Sequence, residues 1–377
     1  MTRRGASWLI IVLILATAFG VRLSAAVFWQ RRQVDPWAFA MPDTHSYLIL
    51  GEQLAKGEPY EHGGRDFQIF RAPGYPLLVA GVFRTVGDEA PLLWIRATGA
   101  VLGTLTVGGV MWLAHTLFVD PNATHPNGPR AEVAVPMAGI LATLYPGAIA
   151  MSMLVLAEAL FCPLMLLHLV CWARATQSGS MRSATAWSLA GGVGAGLAIL
   201  TRPSWLLFTP FVLVLLVIFS RYRYRHIAIG AVMMMAIGVT MLPWWVRNYQ
   251  AVGQFVPTTL QVGASLYDGW NPNATGASDM SFAGPAYEAQ KAEDAAAGLP
   301  ETGFEVRLDS RLRKAAITWA TNNPGQVVQL AGRKVVRMWN VWPNSDDFQS
   351  WSMRWIVVLG YLPLLVFGMA GAWRWRR

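Results

Sequence analysis

The sequence predicts an all-α integral membrane protein, a bundle of about eight transmembrane helices with further helices in its extracytoplasmic loops. Three observations carry that prediction. Only 14% of the 377 residues are charged, against about 25% in soluble domains. Mean hydropathy is +0.37, and the apolar residues come in runs of roughly 20, the length that crosses a bilayer. The 18 tryptophans suit a chain with many bilayer–water boundaries, where indole is favoured.

The first run, 7–29, sits where a signal peptide would, but it is longer than a typical h-region, so it reads as a retained signal anchor. Seven further spans follow at 92–118, 131–150, 153–173, 184–200, 204–220, 227–246 and 353–373. Pro146, Pro163 and Pro210 fall in or near spans and are tolerated where neighbouring helices satisfy the freed carbonyls. The short loops carry their cations on one side: Arg3, Arg4, Arg130, Arg174, Arg182, Arg221, Arg223, Arg225, Arg374, Arg376 and Arg377. Positive charge marks the cytoplasmic side, so both termini are expected there. The opposite side receives two long segments, 30–91 and 247–352. The domain plan is therefore 1–246, a transmembrane domain with its first outer loop at 30–91; 247–352, an outer helical region; and 353–377, a last span and tail.

The net charge of +9 does not imply a nucleic-acid partner, because much of it is accounted for by those short loops. Cys162 and Cys171 lie nine positions apart on one predicted helix and face opposite ways. They share neither a disulfide nor a metal, which excludes zinc or redox chemistry through thiols.

The outer segments are the polar part of the chain. In 41–76, MPDTHSYLILGEQLAKGEPYEHGGRDFQIFRAPGYP, Asp43 is expected to N-cap a short helix running towards Lys56. Gly57-Glu58-Pro59 ends it. The apolar stretch 77–85 is too short to span and is expected to lie on the membrane surface. In the second segment a loop at 263–276 gives way to a helix whose Phe304, Leu308, Leu312, Ala315 and Trp319 mark one apolar face. Asn323-Pro324 reads as the N-cap and N1 of another helix, in which Val327, Ala331, Val335 and Met338 keep the period. Arg311, Arg313 and Lys314 are expected in water or at headgroups. This region lacks the length for a core of its own and is expected to lid the membrane domain. The sequons Asn122-Ala123-Thr124 and Asn273-Ala274-Thr275 are too short to carry weight.

At the outer ends of the spans this topology collects Asp43, Arg71, Arg96, Glu158, Arg202 in Thr201-Arg202-Pro203, and Arg247 in Arg247-Asn248-Tyr249. None is expected near a bilayer midplane, and all share one face. Charges there need partners or water. Carboxylates with several arginines suit a reaction that deprotonates a hydroxyl while a phosphate departs. The carboxylate is the general base, and the arginines hold the phosphate and its growing charge. That side of the membrane has no ready nucleotide pool, so a lipid phosphate reached from the bilayer is the sensible donor. Each residue also has a plainer role: Asp43 as a cap, Arg71 at headgroups, Glu158 in a bundle ion pair, Arg202 and Arg247 as span-ending cations.

The order of these motifs resembles a family. A span precedes an Asp-centred outer segment and the turn Arg71-Ala72-Pro73-Gly74-Tyr75-Pro76. Then come Leu156-Ala157-Glu158-Ala159-Leu160-Phe161, Leu200-Thr201-Arg202-Pro203 and Pro243-Trp244-Trp245-Val246-Arg247-Asn248-Tyr249. The chain is in this respect similar to the GT-C glycosyltransferases, in particular the bacterial relatives of protein O-mannosyltransferases and of the aminoarabinose transferase that modifies lipid A. The resemblance covers nearly the whole chain.

It implies a polyprenyl-phosphate-linked sugar donor, an inverting transfer and a protein, lipid or glycan acceptor. It places Asp43 at the catalytic centre and Arg71 at the donor phosphate; the charges gathered at the outer span ends add Glu158 to the first role and Arg202 and Arg247 to the second. His45, Tyr47 and Tyr75 are then assigned to substrate. Many relatives carry an acid just before the cation of the turn, where this chain has Phe70; Glu61, Asp66 or Glu158 would have to replace it. A divalent cation is left open, since Asp43, Glu158 and His45 are ligand types without ligand spacing. His115 and His168 are expected against packed helices, with no role. The rival readings are a transporter or lipid flippase, a polymerase or ligase using a polyprenyl-pyrophosphate glycan, and a structural protein.

Overall fold

The computed structural model describes residues 3–32, 41–87, 91–118, 131–342 and 350–374. Among these the protein is helical without strands, apart from one isolated bridge between His62 and Phe67. Asn122-Ala123-Thr124, Arg130, Arg376 and Arg377 lie outside the described residues. The chain divides into two units: Met1–Glu58 with Ala72–Pro243, and Pro59–Arg71 with Trp244–Arg377.

The first unit is built from α1 (Arg3–Arg32), α2 (Pro42–Lys56), α3 (Gly74–Val86), α4 (Pro91–Phe118), α5 (Ala131–Leu144), α6 (Pro146–Met153), α7 (Glu158–Gln177), α8 (Met181–Thr201), α9 (Phe208–Phe219) and most of α10 (Arg223–Val252). The second holds the end of α10, then α11 (Val262–Gly269), α12 (Ala283–Ala296), α13 (Phe304–Asn322), α14 (Pro324–Met338) and α15 (Trp351–Arg374). Among the described residues six helices are long and apolar enough to cross a membrane: α1, α4, α7, α8, α10 and α15. The protein is thus an all-α, multi-pass membrane protein.

Two of the eight expected spans take other forms. The run at 131–150 is α5 and α6, bent by 57°. Pro146 sits at the start of α6 and Tyr145 before it is extended, φ −67° and ψ 113°, as a residue preceding proline prefers. With that pair the count reaches seven. The run at 204–220 opens as a 3-10 turn, Pro203–Leu207, which leaves α9 only 12 residues long. The fourth expected span starts later than its hydropathy suggests, since residues 154–157 are not helical and α7 begins at Glu158.

Apolar side chains on α1, α4 and α5 form one buried cluster, among them Ile14, Ala18, Val107, Met111 and Val135. Trp172, Ala175, Ala184, Ile229 and Met233 form another between α7, α8 and α10. There α8 runs close to α10 through small residues. A Cβ on Gly192 would come within 2.5 Å of the Met233 carbonyl oxygen, the close approach that small residues permit between membrane helices. The opposite faces keep large apolar side chains exposed, such as Phe211, Ile218 and Phe219, which a lipid surrounding accommodates.

The short helices follow the sequence with three corrections, the first being that the expected loop at 263–276 opens as the helix α11. The N-cap of α2 is Met41, not Asp43, because Pro42 takes the first helical position, where its fixed φ and missing N–H cost nothing. Asp43 lies in the first turn, where its charge complements the helix dipole. Gly57, at φ 76°, ends the helix in the left-handed conformation as its sequence promises. In α13 the buried stripe is Phe304, Leu308, Leu312 and Ala316, so Ala316 replaces Ala315. Asn323 and Pro324 start α14 as expected.

The second unit has its own small core. Phe304, Leu308 and Leu312 are covered by Tyr267, Phe282, Tyr287 and Phe67. Phe67 comes from the loop Pro59–Arg71, which groups with this unit despite its place in sequence.

Candidate functional site

At one end of the first unit three helix termini meet. The Thr44 hydroxyl, next to Asp43, donates to the Val155 carbonyl at 3.1 Å. The first turn of α2 is thereby tied to the non-helical link that precedes Glu158. Glu158 opens α7 and Arg202 caps the C-terminus of α8. Each charge has the sign its helix end favours, and the Arg202 guanidinium donates to the Glu158 carboxylate. The start of α3 lies against the same α8 terminus. A Cβ on Gly74 would stand 2.6 Å from the Thr201 hydroxyl and 2.8 Å from the Leu200 carbonyl oxygen. The glycine of the Arg71–Pro76 turn is therefore fixed by contact with the residue before Arg202.

Tyr75 follows that glycine, is buried, and meets Tyr47 edge-on with ring centroids 5.1 Å apart. Burial holds its phenol well above its ordinary value, Tyr47 adds to the effect, and the charges of Arg96 and Glu158 reach it with opposite signs. Arg96 is buried too. Its Nε donates to Gln30 Oε1 at 3.0 Å and an NH group donates to the Met153 carbonyl at 2.8 Å. Of the expected site residues the structure thus gathers Tyr47, Tyr75, Glu158 and Arg202, with Arg96. Asp43 and His45 are exposed on the first turn of α2. They project about 200° apart around the helix.

A cavity of about 360 Å³ opens beside Glu158, lined also by Arg22, Gly103, Tyr145, Ser152 and Cys162. Arg22 is the residue that the sequence reading missed. It lies inside α1, 1% exposed, a charge within a span rather than at its outer end. Its guanidinium donates to the carbonyls of Ala18 at 3.2 Å, Thr143 at 3.4 Å and Ala142 at 3.0 Å. The last two end α5 at the bend, so Arg22 satisfies carbonyls that the break releases. A lone arginine in an apolar run was the available signal.

Arg71 and Arg247 belong to the second unit. Two NH groups of Arg247 donate to the carbonyls of Gln68 at 2.5 Å and Tyr60 at 3.0 Å. The guanidinium lies over the rings of Tyr60 and Trp244, so Arg247 holds the loop Pro59–Arg71. Arg71 is half-buried over the Phe70 ring, and its carbonyl accepts the Tyr60 hydroxyl at 3.1 Å.

Glu305 is a second missed residue. Its carboxylate accepts the N–H groups of Gln68 and Ile69, each at 2.8 Å. Burial pushes it up to about 7, against those two donors and Arg247, which pull it down; Asp309 raises it further.

The acids weighed as replacements at the Phe70 position are engaged. Glu61 accepts Gln68 Nε2 at 2.9 Å. Asp66 accepts Lys291 Nζ and the Tyr287 hydroxyl, both at 2.6 Å. His168 is fully buried, with its Nδ1 accepting Trp205 Nε1 at 3.1 Å. Among the described residues no three His, Cys, Asp or Glu side chains gather closely enough to hold a metal ion. No protein-family model matches the chain, and no curated protein matches it.

Proposed function

We propose that this protein is a membrane glycosyltransferase of GT-C type, which moves a sugar from a polyprenyl-phosphate donor to an acceptor hydroxyl on the extracytoplasmic side. The single observation that carries the reading is the Glu158–Arg202 pair beside a cavity inside a membrane-spanning unit, with Asp43 on the neighbouring helix start. The acceptor oxygen attacks the sugar C1 as the C1–phosphate oxygen bond breaks. One such displacement inverts C1. The hydroxyl proton passes to Asp43, a step that a positioned base accelerates about 10²–10⁴-fold. The departing phosphate takes the electron pair, and Arg202 stabilises its charge. Glu158 keeps Arg202 at the α8 terminus, and the buried, edge-on rings of Tyr47 and Tyr75 hold α2 against α3; His45, on the far side of α2 from Asp43, takes no part in this reading.

Arg247 is left with a different role in this reading. Its NH groups already serve two carbonyls, so it orders the Pro59–Arg71 loop, and the phosphate role in the first unit falls to Arg202. The sugar acceptor is a protein, a lipid or a glycan. The test is transfer from labelled polyprenyl-phosphate sugars in proteoliposomes, which the wild type supports and Asp43→Asn abolishes.

One observation favours a second reading, movement of an anionic lipid across the membrane. A broken apolar helix and a buried cation beside the break are features of transporters, and α5–α6 with Arg22 supplies both. Lipid translocation without sugar transfer in the same proteoliposomes would select it.

A further inference from the structure

The helix α14 is amphipathic and its apolar stripe is uncovered. Val328, Ala331, Val335, Met338 and Trp339 follow at the three- and four-residue steps of one helical face, and all five are exposed. Val328 is 72% exposed and Met338 66%. The helix is fastened to the rest of its unit through Leu330, which is buried. The opposite face carries Gln326, Gln329, Arg333 and Arg337.

Three observations identify what covers the stripe. The first is continuity with a span. Trp342, just beyond α14, packs edge-on against Trp351 and Trp355, each with centroids 6.2 Å away, at the start of the membrane-spanning α15. Arg354 lies over the rings of Trp342 and Trp351. Tryptophans and a cation at the first turn of a span mark the bilayer–water boundary, so the end of α14 is held at that level. The second is charge. Arg333, Lys334 and Arg337 place three cations within two turns, suited to the phosphates of anionic lipid. The third is an apolar cleft of about 390 Å³ lined by Trp270, Ile317, Ala320, Pro324, Val327 and Val328, contiguous with the stripe and able to take an acyl chain.

We propose that α14 lies in the membrane interface, with Val328, Ala331, Val335, Met338 and Trp339 among the acyl chains and Arg333, Lys334 and Arg337 on the phosphates of anionic phospholipid. Helices of this composition sink about 5–10 Å into the boundary. The outer unit is then moored to the bilayer at α14 as well as at α15. The proposal is independent of what the protein catalyses.

The test is site-directed spin labelling of the full chain in vesicles containing phosphatidylglycerol, in a background with Cys162 and Cys171 replaced. Labels are placed singly at Val328, Val335 and Gln329. The proposal expects the ratio of oxygen to water-soluble nickel-complex accessibility to be severalfold higher at 328 and 335 than at 329. Equal, water-like accessibility at all three sites would overturn it. Shielding of 328 and 335 from both reagents would overturn it too, and would point to a second copy of the chain. A control variant, Arg333→Gln with Lys334→Gln and Arg337→Gln, leaves the stripe intact. It should reduce the oxygen ratio at 335, and an unchanged ratio would remove the anionic lipid from the account.

Discussion

Arg202 donates to the carboxylate of Glu158, joining the C-cap of one spanning helix to the first residue of another. The pair is partly exposed, so it is open to ligand as well as to its neighbours. A purely structural ion pair is restored by reversing its charges. Glu158→Arg combined with Arg202→Glu restores the attraction but sets each charge against its helix dipole, so it should keep the protein folded, as read by monodisperse elution, with a modestly lowered thermal midpoint, yet transfer at least ~10²-fold more slowly than wild type. Full transfer by the reversed pair would reduce Glu158 and Arg202 to scaffolding.

Arg22 predicts a stability effect. Its removal leaves the carbonyls of Ala142 and Thr143 without a donor at the α5–α6 bend. Arg22→Ala should cost about 2–4 kcal/mol, seen as a lowered unfolding midpoint in detergent. Arg22→Lys, which can reach only part of the set, should fall between the two. A wild-type midpoint for Arg22→Ala would mean that water or lipid replaces the guanidinium without loss.

Gly74 predicts a packing effect next to the site. Any Cβ there meets Thr201 and Leu200, and the α8 backbone has little room to yield. Gly74→Ala should destabilise by about 1–3 kcal/mol and slow transfer, because it displaces the residue adjoining Arg202. The same change at Gly81, where a Cβ meets nothing within 4 Å, should be close to neutral.

Glu305 predicts a pH dependence. A carboxyl raised from 4.5 to about 7 in the fold binds its proton more tightly folded than unfolded. Its contribution is therefore full below the unfolded value and is lost as pH rises through about 7. The groups acting on it are Arg247, Asp309 and the N–H donors of Gln68 and Ile69. The full effect is on the order of 3 kcal/mol. Thermal midpoints should fall between about pH 4.5 and about pH 7 and level off above that. Glu305→Gln keeps an oxygen acceptor for both donors and should flatten that fall. An equal fall in the variant would assign it to other groups.

Much of this architecture was legible because its causes are local. Hydropathy over about 20 residues finds the spans, Gly57 ends α2 and Asn323-Pro324 starts α14. What was not legible depends on partners distant in sequence. Glu305 is buried because it serves backbone donors 236 and 237 residues away, and no local pattern announces that. The burial of Asp309 likewise reflects the Gly263 N–H it accepts at 2.6 Å. Arg247 looked like any span-ending cation until the Pro59–Arg71 loop was seen to lie against it. The reverse holds for Arg22, whose place in an apolar run is itself a local signal. Glu158 was legible as one half of a bundle ion pair, but its partner, Arg202, 44 residues away, was not.

The central claim is tested most directly by one assay. Wild type and Asp43→Asn, matched for folding, are given a panel of labelled polyprenyl-phosphate sugars and an extract of envelope acceptors in proteoliposomes. The account predicts incorporation by wild type from at least one donor, and a loss of at least ~10²-fold in the variant. Wild-type incorporation that Asp43→Asn matches would contradict the assignment of the base, and no incorporation by wild type from any donor would contradict the transferase itself.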